Sequence, residues 1–240
     1  MKKLDILAMG VHPDDVELGC AGTLLAQHAL GKKCGIVDFT KGEMGTRGTP
    51  ELRLKEAENA AKILQVEVRV NLEMEDVFFE NSFENKQKVI QQIRYFQPDV
   101  VLINARHDRH PDHKRAADLA NEACFLSGLT KIITLDAERK EQLPWRPRLV
   151  LHYIQDRWQN PDVVVDISDF MAQKMEAVKA FSSQFYNEES SEPETYISSR
   201  AFFDNLYTRA AEMGRACGFA YAEGFVSSKT LGVKDITHLY

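Results

Sequence analysis

Apolar, β-branched runs alternate with amphipathic stretches through the first half of the chain, and that alternation restricts the fold more than any other feature. LDILAMGV (4–11), KCGIVDFT (33–40), VEVRVNLE (66–73) and PDVVLINA (98–105) read as strands. Residues 16–30, 51–65, 83–97 and 113–126 carry helical patterns, the first ended by Gly31 and the third by Pro98. Strands and helices in strict alternation predict parallel βαβ units. The expectation is an α/β fold, a Rossmann-like, doubly wound, mainly parallel sheet with helices on both faces. After Gly128 the rhythm weakens: RLVLHYI (148–154) and DVVVDI (162–167) read as strands, and helices follow near 169–182 and 199–216. The acidic, serine-rich NEESSEPET (187–195) reads as an exposed loop. No repeat interrupts the pattern, so residues 1–240 are expected to form one domain with an embellished C-terminal third.

Composition limits the partners. The chain has 240 residues, of which 44% are hydrophobic, enough for a full core. A net charge of -6 offers no basic face for nucleic acid and favours a small-molecule partner. No apolar run approaches the ~20 residues that span a bilayer. MKKLDILAMGV superficially copies a signal peptide, but Asp5 interrupts it and no small-residue cleavage site follows, so it reads as the first strand. Cys20, Cys34, Cys124 and Cys217 are scattered without a CxxC pair, which argues against structural zinc or a disulfide framework and fits a reduced cytoplasmic setting.

Parallel sheets bind ligands outside the carboxyl ends of their strands, and polar chemistry crowds that rim here. The first strand delivers His12, Asp14 and Asp15, the second Glu43, Thr46 and Arg47, and the strand ending at Ala105 delivers RHDRHPDH (106–113). HPDD (12–15) and HPDH (110–113) match in form. Either alone could be a capping device, since Asp and His cap helices and Pro suits a first turn. Two matched elements on two strand ends have no packing rationale, whereas a His and a carboxylate three residues apart can face one ion. A His-Asp-His set leaves one coordination position open, the mark of a catalytic metal site. Spacing leaves His110 and His113 both open as the second imidazole. His28, His107, His152 and His238 read as surface or satisfied core residues.

HPDD after the first strand, the GEMGTRG loop with the Arg53 that follows, HPDH after a later strand and YAEGF (221–225) together resemble the zinc-dependent N-acetylglucosaminyl deacetylase family of LmbE-like and PIG-L-like proteins. The resemblance covers nearly the whole chain. Within the family it is strongest to the Bacillus-type members that deacetylate N-acetylglucosaminyl-malate in bacillithiol biosynthesis. It implies that His12, Asp15 and His113 bind one zinc, with Fe(II), Co(II) or Mn(II) chemically acceptable on the same donors. Asp14 is then the free carboxylate that serves as general base, with His110 as oxyanion donor and proton donor to the amine, and Asp112 orienting and charging His110. Tyr196 resembles a family tyrosine that closes over the oxyanion. Arg47 and Arg53 are expected to clamp the malate carboxylates and Glu43 to accept a sugar hydroxyl or support its loop. The resemblance further implies a cytoplasmic homo-oligomer, a hexamer, acting on an N-acetylated amino sugar. Deacetylation of a related substrate, such as a chitobiose-like sugar or a thiol conjugate, is the alternative.

Other classes fit less well. A dinucleotide-binding dehydrogenase needs GxGxxG after its first strand, where this chain has GVHPDDVELG. A two-metal phosphoesterase needs more carboxylates than this rim supplies. A sugar-binding module without catalysis has little use for a base beside an open metal.

Overall fold

Seven strands form one sheet: β1 (Ile6–Gly10), β2 (Cys34–Thr40), β3 (Val68–Met74), β4 (Val100–Ile103), β5 (Leu149–Tyr153), β6 (Val163–Asp166) and β7 (Ala222–Ser227). The coordinates are a computed structural model, which describes residues 3–238; the side chain of His238 lies outside the described residues. The strand order is β3-β2-β1-β4-β5-β7-β6. The first five are parallel, while β7 runs antiparallel to both β5 and β6. The mainly parallel α/β sheet is thus the one expected.

Each central strand is apolar on both faces, which is why its sequence does not alternate with polar residues. From β1, Leu7 and Met9 enter a core with Val89 and Ile93 of α3 (Phe83–Phe96) and Leu119 of α4 (Pro111–Leu126). Ile6 and Ala8 face the other way, toward Val16 and Leu24 of α1 (Asp15–Ala29) and Ala177 of α5 (Met171–Lys179). Helix α2 (Pro50–Ile63) packs beside α5, and α6 (Arg200–Arg215) beside β7.

Strand β7 carries no clear strand signal, because Glu223 and Gly224 break its apolar run. Burial of Glu223 has a specific cause. Helix α1 is interrupted at Cys20, whose φ of -150° is not helical. The break frees the Gly22 and Thr23 amides, which donate to the Glu223 carboxylate at 3.0 and 2.7 Å, and the Leu18 carbonyl, which accepts from Lys174 Nζ at 2.9 Å. Lys174 and Glu223 close the arrangement by pairing at 2.5 Å. The backbone groups freed by the break and the buried Lys174–Glu223 pair are thereby matched, and α1 is fastened to β7 and α5.

Helix α1 also approaches β5 closely. A Cβ at Gly19 would lie 2.2 Å from the Tyr153 ring, whose hydroxyl donates to the Met9 carbonyl at 2.9 Å. Gly19→Ala is expected to cost about 1–3 kcal/mol of stability through overpacking. Urea unfolding at unchanged midpoint would show that the helix can retreat without loss.

The chain proceeds β1, β2, β3 to one side and resumes with β4 on the other side of β1, so β1 and β4 are neighbours with diverging crossovers. That is the topological switch point, where open α/β sheets place ligands. Both His-Pro-Asp elements leave the sheet there.

Candidate metal and catalytic site

Val11, His12, Pro13 and Asp14 turn the chain from β1 into α1. Asp14, just before α1, has φ 130°, a strained conformation for a non-glycine residue. Its carboxylate is buried and ion-paired with Arg53 Nη2. Arg53 comes from α2, which Thr49 caps by accepting the Leu52 amide at 3.2 Å. The remaining Arg53 donors go to the Pro13 carbonyl at 3.1 Å and the Gly42 carbonyl at 3.4 Å. All of its hydrogen bonds therefore serve the site's own loops, a different arrangement from the free clamp expected for Arg53.

Asp15 stands between two imidazoles. Its Oδ1 lies 3.1 Å from His113 Nε2, and its Oδ2 3.7 Å from His12 Nδ1. The same carboxylate accepts the His12 amide at 2.9 Å, Asn104 Nδ2 at 3.1 Å and Gln155 Nε2 at 2.7 Å. The other nitrogen of His12, Nε2, is 3.0 Å from Asp76 Oδ1 and 3.7 Å from Asp112 Oδ2. His113 Nδ1 is 2.5 Å from Asp108 Oδ2. Ring centroids of His110 lie 4.8 Å from His12 and 5.3 Å from His113. Donor atoms of His12, His110 and His113 fall within 4.8 Å of one another, as do those of His12, Asp76 and Asp112.

His12, Asp15 and His113 are donor types that a divalent cation accepts, although Asp15 belongs to neither of these two groups of mutually close donors. Two imidazoles converge on one carboxylate, and the outer nitrogen of His113 is fixed by a carboxylate, as ligating histidines usually are. Two neutral ligands and one anionic ligand leave net positive charge on a divalent ion.

Charges follow from this geometry. Burial acts to discharge His12, yet the carboxylates of Asp112, Asp76 and Asp15 push its pKa up to about 9. Burial is likewise outweighed at His113, which Asp15 and Asp108 raise to about 10. Burial and the positive charges of His12 and His113 push His110 down to about 4. Burial raises the Asp14 carboxyl, against the lowering effect of Arg53. A metal held by His12 and His113 would have to displace the protons that these imidazoles hold. Metal uptake near neutral pH is thus expected to release protons, and affinity to climb as pH approaches 9. Calorimetry in buffers of differing ionisation heat measures this; uptake without proton release would mean that neither imidazole is a ligand.

An open cavity of about 220 Å³ contains the site. His12, Asp14, His113, Arg47, Arg109 and Tyr196 all contribute to its wall.

Residues 7–124 match the family described as GlcNAc-PI de-N-acetylase, PIG-L. The diacetylchitobiose deacetylase of Thermococcus kodakarensis is 30% identical over 246 residues, covering 98% of this chain and 87% of that protein. The chain belongs to the PIG-L family. The conserved protein TT1542 of Thermus thermophilus superposes with a TM-score of 0.84 at 37% identity, over 96% of this chain and 98% of that one. The N,N'-diacetylchitobiose deacetylase of Pyrococcus horikoshii, solved with an inhibitor, gives 0.79 at 27% identity, over 92% and 82%.

In this PIG-L family chain the structure gives the remaining residues of the sequence reading their partners. The Asp112 carboxylate makes no hydrogen bond to the ring nitrogens of His110 among the described residues. Its carboxylate accepts the Val77 amide at 3.2 Å and Arg115 Nη1 at 2.8 Å, while its own amide donates to His110 Nδ1 at 3.3 Å. The Asp112 charge still raises the pKa of His110, but burial and the charges of His12 and His113 outweigh it, and the ring caps α4. Glu43 supports its loop, accepting the Asp76 amide at 2.8 Å and the Lys41 amide at 3.2 Å. NEESSEPET is an exposed loop, as expected, and it is docked at two points: Ser190 accepts Arg47 Nη2 at 2.6 Å, and Glu192 accepts the Gly48 amide at 2.8 Å. This docking places Tyr196 on the cavity wall, its hydroxyl donating to Asp156 at 3.0 Å and its face under Arg109 at 4.6 Å.

Asp76, Asp108, Asn104 and Gln155 were missed. Asp108 stood inside RHDRHPDH, five residues before His113, and Asn104 ended a strand run, so position at the rim was their only signal. Asp76 and Gln155 carried none.

Proposed function

We propose that the chain is a metal-dependent N-deacetylase that removes the acetyl group from an N-acetylglucosaminyl glycoside, releasing acetate and a free amine. The observation that carries this reading is Asp14, a buried carboxylate with raised pKa beside the His12, Asp15 and His113 donor set in one cavity. The two diacetylchitobiose deacetylases among its relatives support an N-acetylated amino sugar as substrate.

His12, Asp15 and His113 would hold a divalent cation, zinc foremost, which when bound would supply Lewis-acid charge at the acetyl carbonyl and a more acidic water. Asp14 takes the proton from water as the new C–O bond forms and passes it to nitrogen as the C–N bond breaks, in place of the expected His110, whose imidazole is held neutral by burial and the charges of His12 and His113. Arg53 keeps the Asp14 carboxylate turned toward the cavity. The Nδ1 of His110 accepts the Asp112 amide, so neutral His110 carries its hydrogen on Nε2 and donates to the oxyanion without being an imidazolium. Tyr196 joins that role once its hydroxyl exchanges Asp156 for substrate.

For the aglycone we propose L-malate, and with it a place in bacillithiol biosynthesis. Arg109 on the cavity wall supports an anionic group: among the described residues its only carboxylate partner is Asp156 at 3.6 Å, and its guanidinium is partly exposed. Arg47 stands behind it. The reading extends to a single domain over residues 1–240 that works as a cytoplasmic homo-oligomer, a hexamer. No helix among the described residues is long and apolar enough to cross a membrane, and all four cysteines are free.

Arg53→Gln separates two roles. Removing the guanidinium takes away the largest effect that opposes burial at Asp14, so its pKa rises and the acid limb of the kcat/KM profile moves to higher pH. An unmoved limb with a higher KM only for anionic aglycones would return Arg53 to a carboxylate clamp.

Acetate release from N-acetylglucosaminyl-malate and from diacetylchitobiose, by metal-stripped protein before and after one equivalent of zinc, tests the whole reading. Zinc-dependent acetate from the malate glycoside supports it. Acetate from diacetylchitobiose alone keeps the deacetylase and discards malate, and no acetate with zinc bound discards both.

A further inference from the structure

On β5, away from the catalytic cavity, His152 is buried to 3% exposure. Its Nδ1 lies 2.8 Å from the Asn104 carbonyl, which can only accept, so Nδ1 carries the hydrogen and Nε2 is a bare lone pair. That lone pair is buried and has no partner among the described residues. Native proteins rarely leave a buried acceptor unsatisfied, and each such group calls for an occupant.

His152 lines a second cavity, of about 50 Å³, together with Arg106, Gln159, Val226, Ser227 and Ser228. Among the described residues Arg106 makes no ion pair or hydrogen bond. The carboxylate that acts on His152 is Asp118, which already pairs with Lys114 at 2.6 Å. Gln159 gives its amide to the His107 carbonyl at 3.0 Å, and Ser227 its hydroxyl to the Lys229 carbonyl at 2.7 Å. The cavity therefore gathers the exposed Arg106 guanidinium and a free imidazole nitrogen; no carboxylate is among its lining residues, and nearby Asp162 is taken up by the Ser227 amide at 2.8 Å.

We propose that this cavity binds a small oxyanion, phosphate or a short carboxylate, between Arg106 and His152 Nε2. The anion's oxygen accepts from the guanidinium, and one proton is shared between the anion and Nε2: as O–H···N when the imidazole is neutral, as N–H···O when it is charged. Burial and Arg106 lower the pKa of His152, and a bound anion opposes both effects. A metal ion is disfavoured by the cation already in the cavity and by the single imidazole offered. The volume, far below that of the catalytic cavity, excludes a glycoside.

Imidazole NMR of nitrogen-15-labelled, zinc-loaded full-length protein tests the proposal. Inorganic phosphate and acetate are titrated at constant ionic strength, with sodium chloride as the balancing salt. The expected result is a saturable change at His152 Nε2 with phosphate or acetate, about 10-fold weaker in Arg106→Gln, as loss of one charge-assisted hydrogen bond predicts. Phosphate bound at the catalytic metal would be indifferent to Arg106, so an equal titration in the variant overturns the proposal. So does an unchanged Nε2 signal with both anions, which leaves the cavity to water, or the same change with chloride alone.

Discussion

Asp14→Asn is expected to lower kcat about 10²- to 10⁴-fold while metal content stays at one per chain, the span that a positioned general base contributes. The substitution is chosen for its backbone. Asn tolerates positive φ better than other residues, so the 130° turn at position 14 survives and Asp15 stays in place. What disappears is the one carboxylate of the pair that the donor set does not use. The Arg53 guanidinium keeps the Pro13 and Gly42 carbonyls as acceptors but loses its counter-charge, so some stability goes with the activity. Rates measured well below the melting transition separate the two effects. Full activity with metal bound would move the base to another carboxylate, Asp76 being the nearest alternative on His12.

The alternation that opened the sequence is a direct record of burial, because strands covered on both faces must be apolar throughout and helices covered on one face must not. For that reason β1 to β5 and their helices were readable from composition alone. Strand β7 was not, because its burial depends on Lys174 and on a helix break at Cys20, neither visible near Glu223 in sequence. The two His-Pro-Asp elements were legible because their residue types are wasteful anywhere except at a site. Asp108 and Asp76 were not, since a lone aspartate at a strand end usually means a turn or a cap. Arg53 shows the reverse limit. Its type suggested an anion partner correctly, but the anion is Asp14 of the same chain, and only the fold could say so.

His113→Ala is expected to abolish stoichiometric metal binding, Asp108→Ala to weaken it about 10- to 100-fold, and His110→Ala to leave it nearly unchanged. The order follows from where each nitrogen points. His113 has Nε2 on Asp15 and Nδ1 on Asp108, so the outer carboxylate fixes the tautomer that offers Nε2 to a metal. Asp108 is itself immobilised, accepting the Arg109 amide at 2.8 Å and the Arg157 amide at 3.0 Å. Without it the ring is free to rotate and to bind a proton instead of a metal. His110 spends Nδ1 on the first turn of α4, so its replacement costs about 1 kcal/mol of capping and, on the present assignment, the oxyanion donor. Activity should then fall in all three variants, but metal only in two. The three imidazoles lie close enough that a His12, His110 and His113 set remains chemically coherent. Loss of metal from His110→Ala, with metal kept in His113→Ala, would exchange the two histidines and hand the Asp108–His113 pair to proton transfer.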